Sequence, residues 1–137
     1  MNKKLTKLLY TKYPKIFKQH SLPPTKSPMA WGFQCNDGWF WLIRNLCELL
    51  QFDIDRNGEL QLEANTVKQK FGTLRFYTDG CSKRQEGMIA LAEFMSHSIC
   101  ENCGSTKDVS QNKKGFIQNL CKECWRKRND KSKMFKM

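Results

Sequence analysis

Four cysteines in the last third of the chain have the spacing of metal ligands. They form two Cys-x-x-Cys pairs, Cys100 with Cys103 and Cys121 with Cys124, and seventeen residues separate the pairs. Each pair places two sulfurs on one tight turn, and Gly104 follows the first pair at a position that needs a residue tolerant of positive φ. This spacing predicts a site in which four thiolates bind Zn²⁺ tetrahedrally.

The same cysteines argue against catalysis at the metal. Four thiolates close the coordination shell of zinc and leave no position for an activated water molecule. His20 and His97 are the two histidines, and neither has the strand-then-helix context that an HNH nuclease needs. The chain also has no His-x-Glu motif of a zinc deaminase. We therefore expect no enzyme activity, and we expect His97, three residues before Cys100, to lie beside the zinc site or on the surface instead of replacing a cysteine.

Three further cysteines, Cys35, Cys47 and Cys81, lie outside this spacing. Cys47 falls in an apolar helix and is expected to be buried, whereas Cys35 and Cys81 fall in predicted loops as either incidental or reactive thiols. Lysines recur too often at the start for a signal peptide, and no apolar run approaches the roughly 20 residues that span a bilayer. We therefore expect a cytoplasmic protein with no membrane partner, where reducing conditions favour metal binding over disulfides.

Basic residues are concentrated at the two ends of a chain whose formal net charge is +11. Residues 1–18 hold six lysines and no acidic residue, and residues 122–137 hold seven Lys or Arg against two acidic residues. Residues 19–121 are therefore neutral overall. Clustered basic charge favours polyanions such as nucleic acid, an acidic protein surface or an anionic membrane.

The helical spacing of apolar residues predicts three helices before the cysteines. A basic amphipathic helix over residues 3–18 is interrupted by Pro14, so it is either kinked or divided in two, and a proline-rich connector follows over residues 21–31. Residues 39–52 are apolar nearly all round, which predicts a core helix in which the aromatic cluster Trp39, Phe40 and Trp41 is buried. A third helix over residues 83–99 leads directly into the first cysteine pair.

Residues 59–78 predict a β-hairpin. Leu60 and Leu62 alternate with polar residues in its first strand, and Val67–Tyr77 forms its second strand around a glycine. Leu74 and Phe76 are expected to face the core. Four residues are then expected on the outer face, as either a binding surface or an ordinary solvated face: Lys68, Lys70, Arg75 and Tyr77.

Residues 53–60 match the first half of a calcium-binding EF-hand loop, with Asp53, Asp55 and Asn57 at ligand positions and Gly58 at the turn. The twelfth position of that loop needs a bidentate Glu, and here it is Ala64. We therefore expect a polar turn out of the preceding helix, with Gly58 at positive φ, in preference to a calcium site.

The cysteine segment is predicted to form a treble-clef zinc finger. A treble clef has a knuckle, a hairpin and a helix in that order. The predicted elements here are a knuckle at the first cysteine pair, a short hairpin around Val109 and Phe116–Ile117, and a helix that starts at Cys121. The predicted fold class is α+β, with a helical body and β-hairpin over residues 1–99 fused to a zinc finger over residues 100–137. The finger residues expected to contact nucleic acid or a partner protein are Lys113, Lys114, Arg126, Lys127 and Arg128.

The chain resembles a group of small phage- and prophage-encoded zinc-finger proteins. Three features carry the resemblance: the helix over residues 39–50, the stretch 67–77 and the cysteine pairs. The resemblance covers roughly residues 13–124. Its most specific part reads Val67-Lys-x-Lys-Phe71-Gly72-x-Leu74-Arg75-Phe76-Tyr77. It implies a phage accessory protein acting in a bacterial cytoplasm, and it implies no catalytic residues.

Two functions fit these observations. The first is binding of DNA or RNA, in which the basic ends contact phosphates without sequence preference. The second is a protein-interaction module that binds and inhibits or redirects a host or defence protein complex.

Overall fold

The computed structural model describes residues 1–136, so Met137 at the end of the predicted finger lies outside the description. The chain is α+β, as the sequence predicts. None of the helices in the described residues is long and apolar enough to cross a bilayer. The α-helices are α1 (Lys3–Lys12), α2 (Phe40–Asn57), α3 (Lys83–Met95) and α4 (Lys122–Lys136). The strands are β1 (Phe33–Gln34), β2 (Glu63–Lys70), β3 (Thr73–Asp79), β4 (Val109–Gln111) and β5 (Asn119–Cys121).

The basic N-terminal segment is interrupted at Pro14, as the sequence predicts, and the residues directly after Pro14 form turns and not a second α-helix. The Asn2 side chain caps α1 by accepting a hydrogen bond from the backbone of its first turn at 2.8 Å. α1 ends two residues before Pro14, and a 3₁₀ turn over Lys18–Ser21 follows. Leu9 and Phe17 are buried, whereas all six lysines of the segment are exposed. The segment therefore presents its charge to solvent.

The larger of the two sheets within the described part of the chain has three strands in the order β1-β2-β3. β1 runs parallel to β2, and β2 runs antiparallel to β3 with Val67 opposite Phe76. The turn between β2 and β3 is Phe71-Gly72, where both residues have positive φ (53° and 85°), as a two-residue type I′ turn requires. The predicted hairpin is confirmed, but its predicted second strand over residues 67–77 is wrong because that span crosses this turn.

The main core fills the space between the sheet, α2 and the N-terminal segment. Val67, Leu74 and Phe76 are buried on the inner face of the sheet, which confirms the orientation expected for the last two. Phe17 packs edge-on against Phe33 and Phe76, with ring centroids 5.0 and 6.4 Å apart. The buried apolar side chains from α2 are Leu42, Ile43, Leu46, Cys47, Leu50 and Ile54.

α2 is amphipathic, so the prediction that it is buried nearly all round is wrong. Trp41 is 65% exposed, and Leu49 and Phe52 are exposed on the same side of the helix. Trp39 is fully buried but lies in the 3₁₀ turn before α2, where its indole Nε1–H donates to the carbonyl oxygen of Ile99 at 3.0 Å. The aromatic cluster therefore divides into one core tryptophan and one surface tryptophan.

The half EF-hand sequence forms the end of α2 and not a turn that leaves it. The buried Asp53 carboxylate accepts hydrogen bonds from Asn57 (2.7 Å), Arg84 (3.2 Å) and Gln85 (3.2 Å). Gly58 follows the helix with φ of 63°, as predicted. Since its oxygens are occupied by side chains of α2 and α3, Asp53 has a structural role in joining these helices.

Trp39→Ala should lower the free energy of unfolding by about 3–5 kcal/mol, because it empties a fully buried site and removes the Ile99 hydrogen bond. Trp41→Ala, the matched exposed tryptophan, should change this free energy by only about 0.5 kcal/mol. Chemical denaturation followed by circular dichroism measures both values. Equal destabilisation by the two substitutions would indicate that Trp41 is also a core residue, and this would contradict its assignment to the surface.

Candidate metal centre

Two local structures bring the four cysteines together. Cys100 and Cys103 lie on a tight turn, closed by a hydrogen bond from the Gly104 N–H to the Cys100 carbonyl oxygen at 2.8 Å. Gly104 has a φ of 82°, as predicted. Cys121 is the last residue of β5, so the helix predicted to start at Cys121 begins one residue later, and Cys124 lies in the first turn of α4. The antiparallel β4–β5 pair thus returns the second cysteine pair to the first.

The sulfur atoms have the spacing of a tetrahedral metal site. All four Sγ atoms lie within 4.8 Å of one another, and those of Cys103 and Cys121 are 3.7 Å apart. A tetrahedron with Zn–S bonds of about 2.3 Å places its sulfurs about 3.8 Å apart. Cys100, Cys121 and Cys124 are buried and Cys103 is exposed. Such a donor set suits zinc and leaves no open coordination position.

The protonation of these thiols also suits a bound cation. The pKa of Cys100 is lowered to about 7. Burial alone would raise this pKa, but backbone N–H groups of Cys121, Cys103 and Asn102 donate to the sulfur and have the larger effect. Burial and the neighbouring thiols raise the pKa of Cys124 well above its ordinary value. Four thiols this close together cannot all ionise without a positive charge among them, and a bound metal ion would supply that charge.

A buried carboxylate joins the cysteine turn to the body of the protein. Glu101, only 2% exposed, accepts hydrogen bonds from the backbone N–H of Asn36 (3.0 Å) and from Nε2 of Gln118 (3.2 Å). Burial raises its pKa, and these two hydrogen bonds act against that shift. The Glu101 carbonyl oxygen accepts from the Gly38 N–H at 2.7 Å. The ligand turn is therefore held directly against the segment that starts α2.

The hairpin tip forms a second junction between body and finger. The side-chain amide of Asn119 donates to the Gly72 carbonyl oxygen at 2.8 Å, and that of Gln111 donates to the Phe71 carbonyl oxygen at 2.9 Å. Asn119 and Gln111 belong to β5 and β4 and lie opposite each other. The small sheet that carries Cys121 is thus positioned by the turn of the large sheet.

Arg126, Lys127 and Arg128, the predicted contact residues of α4, differ in what their side chains contact, although Lys127 and Arg128 line the same surface depression. Successive residues on a helix point about 100° apart, and Arg128 turns toward the β4–β5 loop. Its guanidinium donates to Oε1 of Gln118 and to the Phe116 carbonyl oxygen, both at 3.0 Å. Arg128 therefore supports the finger, whereas Arg126 and Lys127 are exposed and both lie within 4.0 Å of the Glu123 carboxylate.

The other predicted binding residues form two separate sets. On the outer face of the sheet, Lys68 lies opposite Arg75, and Lys70 and Tyr77 are exposed along the same face. A second set, in the exposed loop between β4 and β5, consists of Lys113 and Lys114.

The exposed Cys103 lies where two surface depressions meet, and these bring the basic ends of the chain together. One depression, between α1 and the start of α2, is lined by Lys4 and Arg44. The other, along α4, is lined by Lys127 and Lys131. Both include Cys103, so the N-terminal and C-terminal basic segments flank the same edge of the cysteine cluster. Sequence reasoning identified the two charged ends but missed Lys4, Arg44 and Lys131 as members of one site.

The N-terminal segment reaches this edge because its first residues bind the loop before α2. The amino group of Met1 donates to the carbonyl oxygen of Cys35. The backbone N–H and side-chain amide of Asn2 donate to the Asp37 carboxylate at 2.7 and 3.0 Å. The same loop binds Glu101 through Asn36, as described above. Charge patterning carries no signal of this adjacency, since it depends on long-range contacts.

The remaining thiols and His97 lie apart from the cluster. Cys35 and Cys47 are buried, which raises the pKa of Cys35 to about 12 and that of Cys47 well above its ordinary value. Cys81 is exposed, and partial burial still raises its pKa. His97 is exposed and packs near Phe94.

In comparisons with family models, curated proteins and solved structures, nothing matches this chain.

Cys121→Ser should reduce the bound zinc to well below one equivalent and destabilise the finger, because binding energy at a structural zinc site is folding energy. Metal analysis together with thermal unfolding measures both effects. Cys81→Ser, an exposed cysteine outside the cluster, is the matched control and should retain zinc and stability. A Cys121→Ser protein that is zinc-free and as stable as the wild type would contradict a structural metal role.

Gly38→Ala should destabilise the protein by about 3 kcal/mol, at the upper end of overpacking effects. A Cβ at this position would lie 2.1 Å from the Cys100 carbonyl oxygen and 2.5 Å from that of Glu101. Gly87→Ala is the control, because its Cβ meets nothing within 4 Å and alanine favours the helix by about 1 kcal/mol. Unfolding midpoints that move in the same direction for both variants would argue against the close approach at Gly38.

Proposed function

We propose that the four cysteines bind Zn²⁺ as a structural treble-clef finger. The order of elements supports this interpretation: a ligand turn, an antiparallel strand pair and then a helix whose first turn carries the last ligand. The closed set of four thiolates favours a structural role over catalysis. We accordingly propose a non-catalytic protein, and thiolate ligands are best preserved in a reducing cytoplasm.

We further propose that this zinc-supported surface binds nucleic acid through phosphate contacts. The observation that carries the proposal is that both basic ends of the chain flank the exposed edge of the cysteine cluster at Cys103. Lys4 and Arg44 lie on one side, and Lys127 and Lys131 lie on the other. A rigid surface that gathers basic side chains in this way favours sequence-independent binding, DNA or RNA, that weakens steeply with salt.

The resemblance to phage-encoded proteins sets the biological context of the proposal. We propose that the protein acts as an accessory factor on nucleic acid in the cytoplasm of a bacterial host. The sheet-face residues Lys68, Lys70, Arg75 and Tyr77 and the loop residues Lys113 and Lys114 are separate from the Cys103 edge and would provide additional contacts to a long nucleic acid.

A patch of apolar side chains on α3 favours a second candidate function. Leu91 is 60% exposed, Phe94 is 74% exposed and Met95 is 45% exposed. Exposed apolar groups that lie next to each other are typical of protein-binding surfaces. In this alternative the protein binds and inhibits or redirects a host or defence protein complex, and its basic surface contacts an acidic or nucleic-acid-binding partner.

Lys127→Ala with Lys131→Ala should weaken binding of the zinc-loaded protein to duplex DNA. It should also reduce the slope of log K against log salt by about 2, because each lost phosphate contact removes about 0.9 from the slope. Fluorescence anisotropy across a salt series measures both quantities.

The matched control is Lys26→Ala with Lys83→Ala, which removes the same charge from exposed positions in the connector and at the start of α3. It should leave the slope within about 0.5 of the wild type. Equal effects of the two double variants would show that net charge alone drives binding, and this would contradict a defined surface. Absence of binding by the wild type near physiological salt would favour the protein-interaction alternative.

A further inference from the structure

A groove between α1 and the start of α2 has a composition that the structural metal site does not explain. We name it the α1–α2 groove; it has a volume of about 680 Å³. Its apolar wall is formed by Leu5, Leu8, Phe40 and Trp41. Leu8 is 49% exposed and Trp41 is 65% exposed, so this wall is open to solvent. Large apolar side chains exposed in a concave surface are characteristic of a binding site.

Trp41 is held in a defined position although it is exposed. The Arg44 guanidinium lies over its ring, 5.3 Å from the centroid, in a cation–π arrangement. The Phe40 ring meets it edge-on, with centroids 5.5 Å apart and planes at 75°. These contacts fix the indole and leave most of its surface accessible. An aromatic ring that is preorganised in this way provides a stacking surface at low entropic cost.

The rim of the groove is basic. Lys4, Lys12 and Arg44 line it, and its one acidic residue, Asp37, is already bonded to the backbone and side chain of Asn2. The Lys12 ammonium also lies 3.7 Å from the Glu48 carboxylate in an exposed pair, which contributes little. An occupant that combines an apolar planar group with negative charge therefore complements this groove.

We propose that the α1–α2 groove binds single-stranded nucleic acid, with an unpaired base stacked on Trp41 and adjacent phosphates bound by Lys4 and Lys12. This inference rests on the proposed nucleic-acid function and specifies its substrate as a single strand. A base in an intact duplex is stacked on its neighbours and does not present its face, whereas a single strand stacks its bases on protein aromatics while basic side chains follow its backbone. Cys103 lines both this groove and the depression along α4, so the groove adjoins the basic residues of α4.

An acidic amphipathic peptide is the competing occupant. The side chains of Leu5 and Leu8 suit the apolar side of a helix, and the basic rim suits acidic residues beside it. Trp41, Phe40 and Arg44 together favour the nucleic acid, because an arginine-backed aromatic ring is a stacking platform that any base can use. The two occupants differ in whether a planar base is required.

The test measures affinity for an oligothymidylate of about 12 nucleotides, within the site size of single-strand binders, and for a duplex of the same length. Trp41→Ala should weaken single-strand binding by about 5- to 100-fold, which corresponds to the loss of one stacked base. Duplex binding should change less than about twofold, since phosphate contacts remain. Trp41→Phe should recover part of the single-strand affinity.

Trp31→Ala is the matched control, because Trp31 is 66% exposed and lies in the connector outside the groove. It should leave both affinities unchanged. An abasic oligonucleotide of the same length should bind the wild type only as well as the oligothymidylate binds the Trp41→Ala variant.

Three outcomes would overturn the inference. Equal losses of single-strand and duplex binding in Trp41→Ala would exclude base stacking on Trp41 but would leave the proposed nucleic-acid function in place. Unchanged oligothymidylate binding in Trp41→Ala, with a designed acidic amphipathic peptide that binds the wild type and not this variant, would make the groove a peptide site. Absence of all oligonucleotide binding by the wild type would overturn the proposed function together with this inference.

Discussion

The structure depends on one close backbone approach, where the loop before α2 meets the first cysteine pair. The Gly38 N–H donates to the Glu101 carbonyl oxygen at 2.7 Å, and the space beside Gly38 is filled by backbone oxygens of Cys100 and Glu101. The same loop binds the amino group and Asn2 at the start of the chain. The loop before α2 therefore contacts the first cysteine turn on one side and the start of the chain on the other, and it positions both.

Sequence reasoning succeeded where the structure depends on local spacing. The cysteine cluster follows from two turns and one connecting strand pair, and the inward orientation of Leu74 and Phe76 follows from the period of a strand. The convergence of the two basic ends does not follow from local spacing. It depends on the packing of Gly38 against Glu101 and on the bonds made by Asn2, and none of these residues has a distinctive pattern around it.

The two clearest errors, at Trp41 and at the β2–β3 turn, have related causes. Composition assigns Trp41 to the core because its neighbours in the chain are apolar, yet the side of the helix on which a residue lies decides its burial. Gly72 is the one local signal of the turn, and Phe71 before it has a positive φ that is rare for an aromatic residue, so the sequence favours a continuous strand at this point. Hydrogen bonds from Gln111 and Asn119 hold the turn, which shows tertiary contact overriding local preference.

The charge distribution links the fold to the proposed function. Bringing two basic segments to one side of a small protein is unfavourable, since like charges repel within the Debye length of about 8–10 Å. A zinc–tetrathiolate centre at the cysteine cluster would carry about −2 and would offset part of this repulsion, while exposed pairs such as Glu123 with Arg126 contribute about 0–1 kcal/mol. The proposed polyanionic ligand would remove the remaining repulsion and would stabilise the folded state by mass action. The charge of the metal centre would account for only part of the basic residues around Cys103, so the placement of the remaining charge supports the proposed polyanionic ligand at that edge.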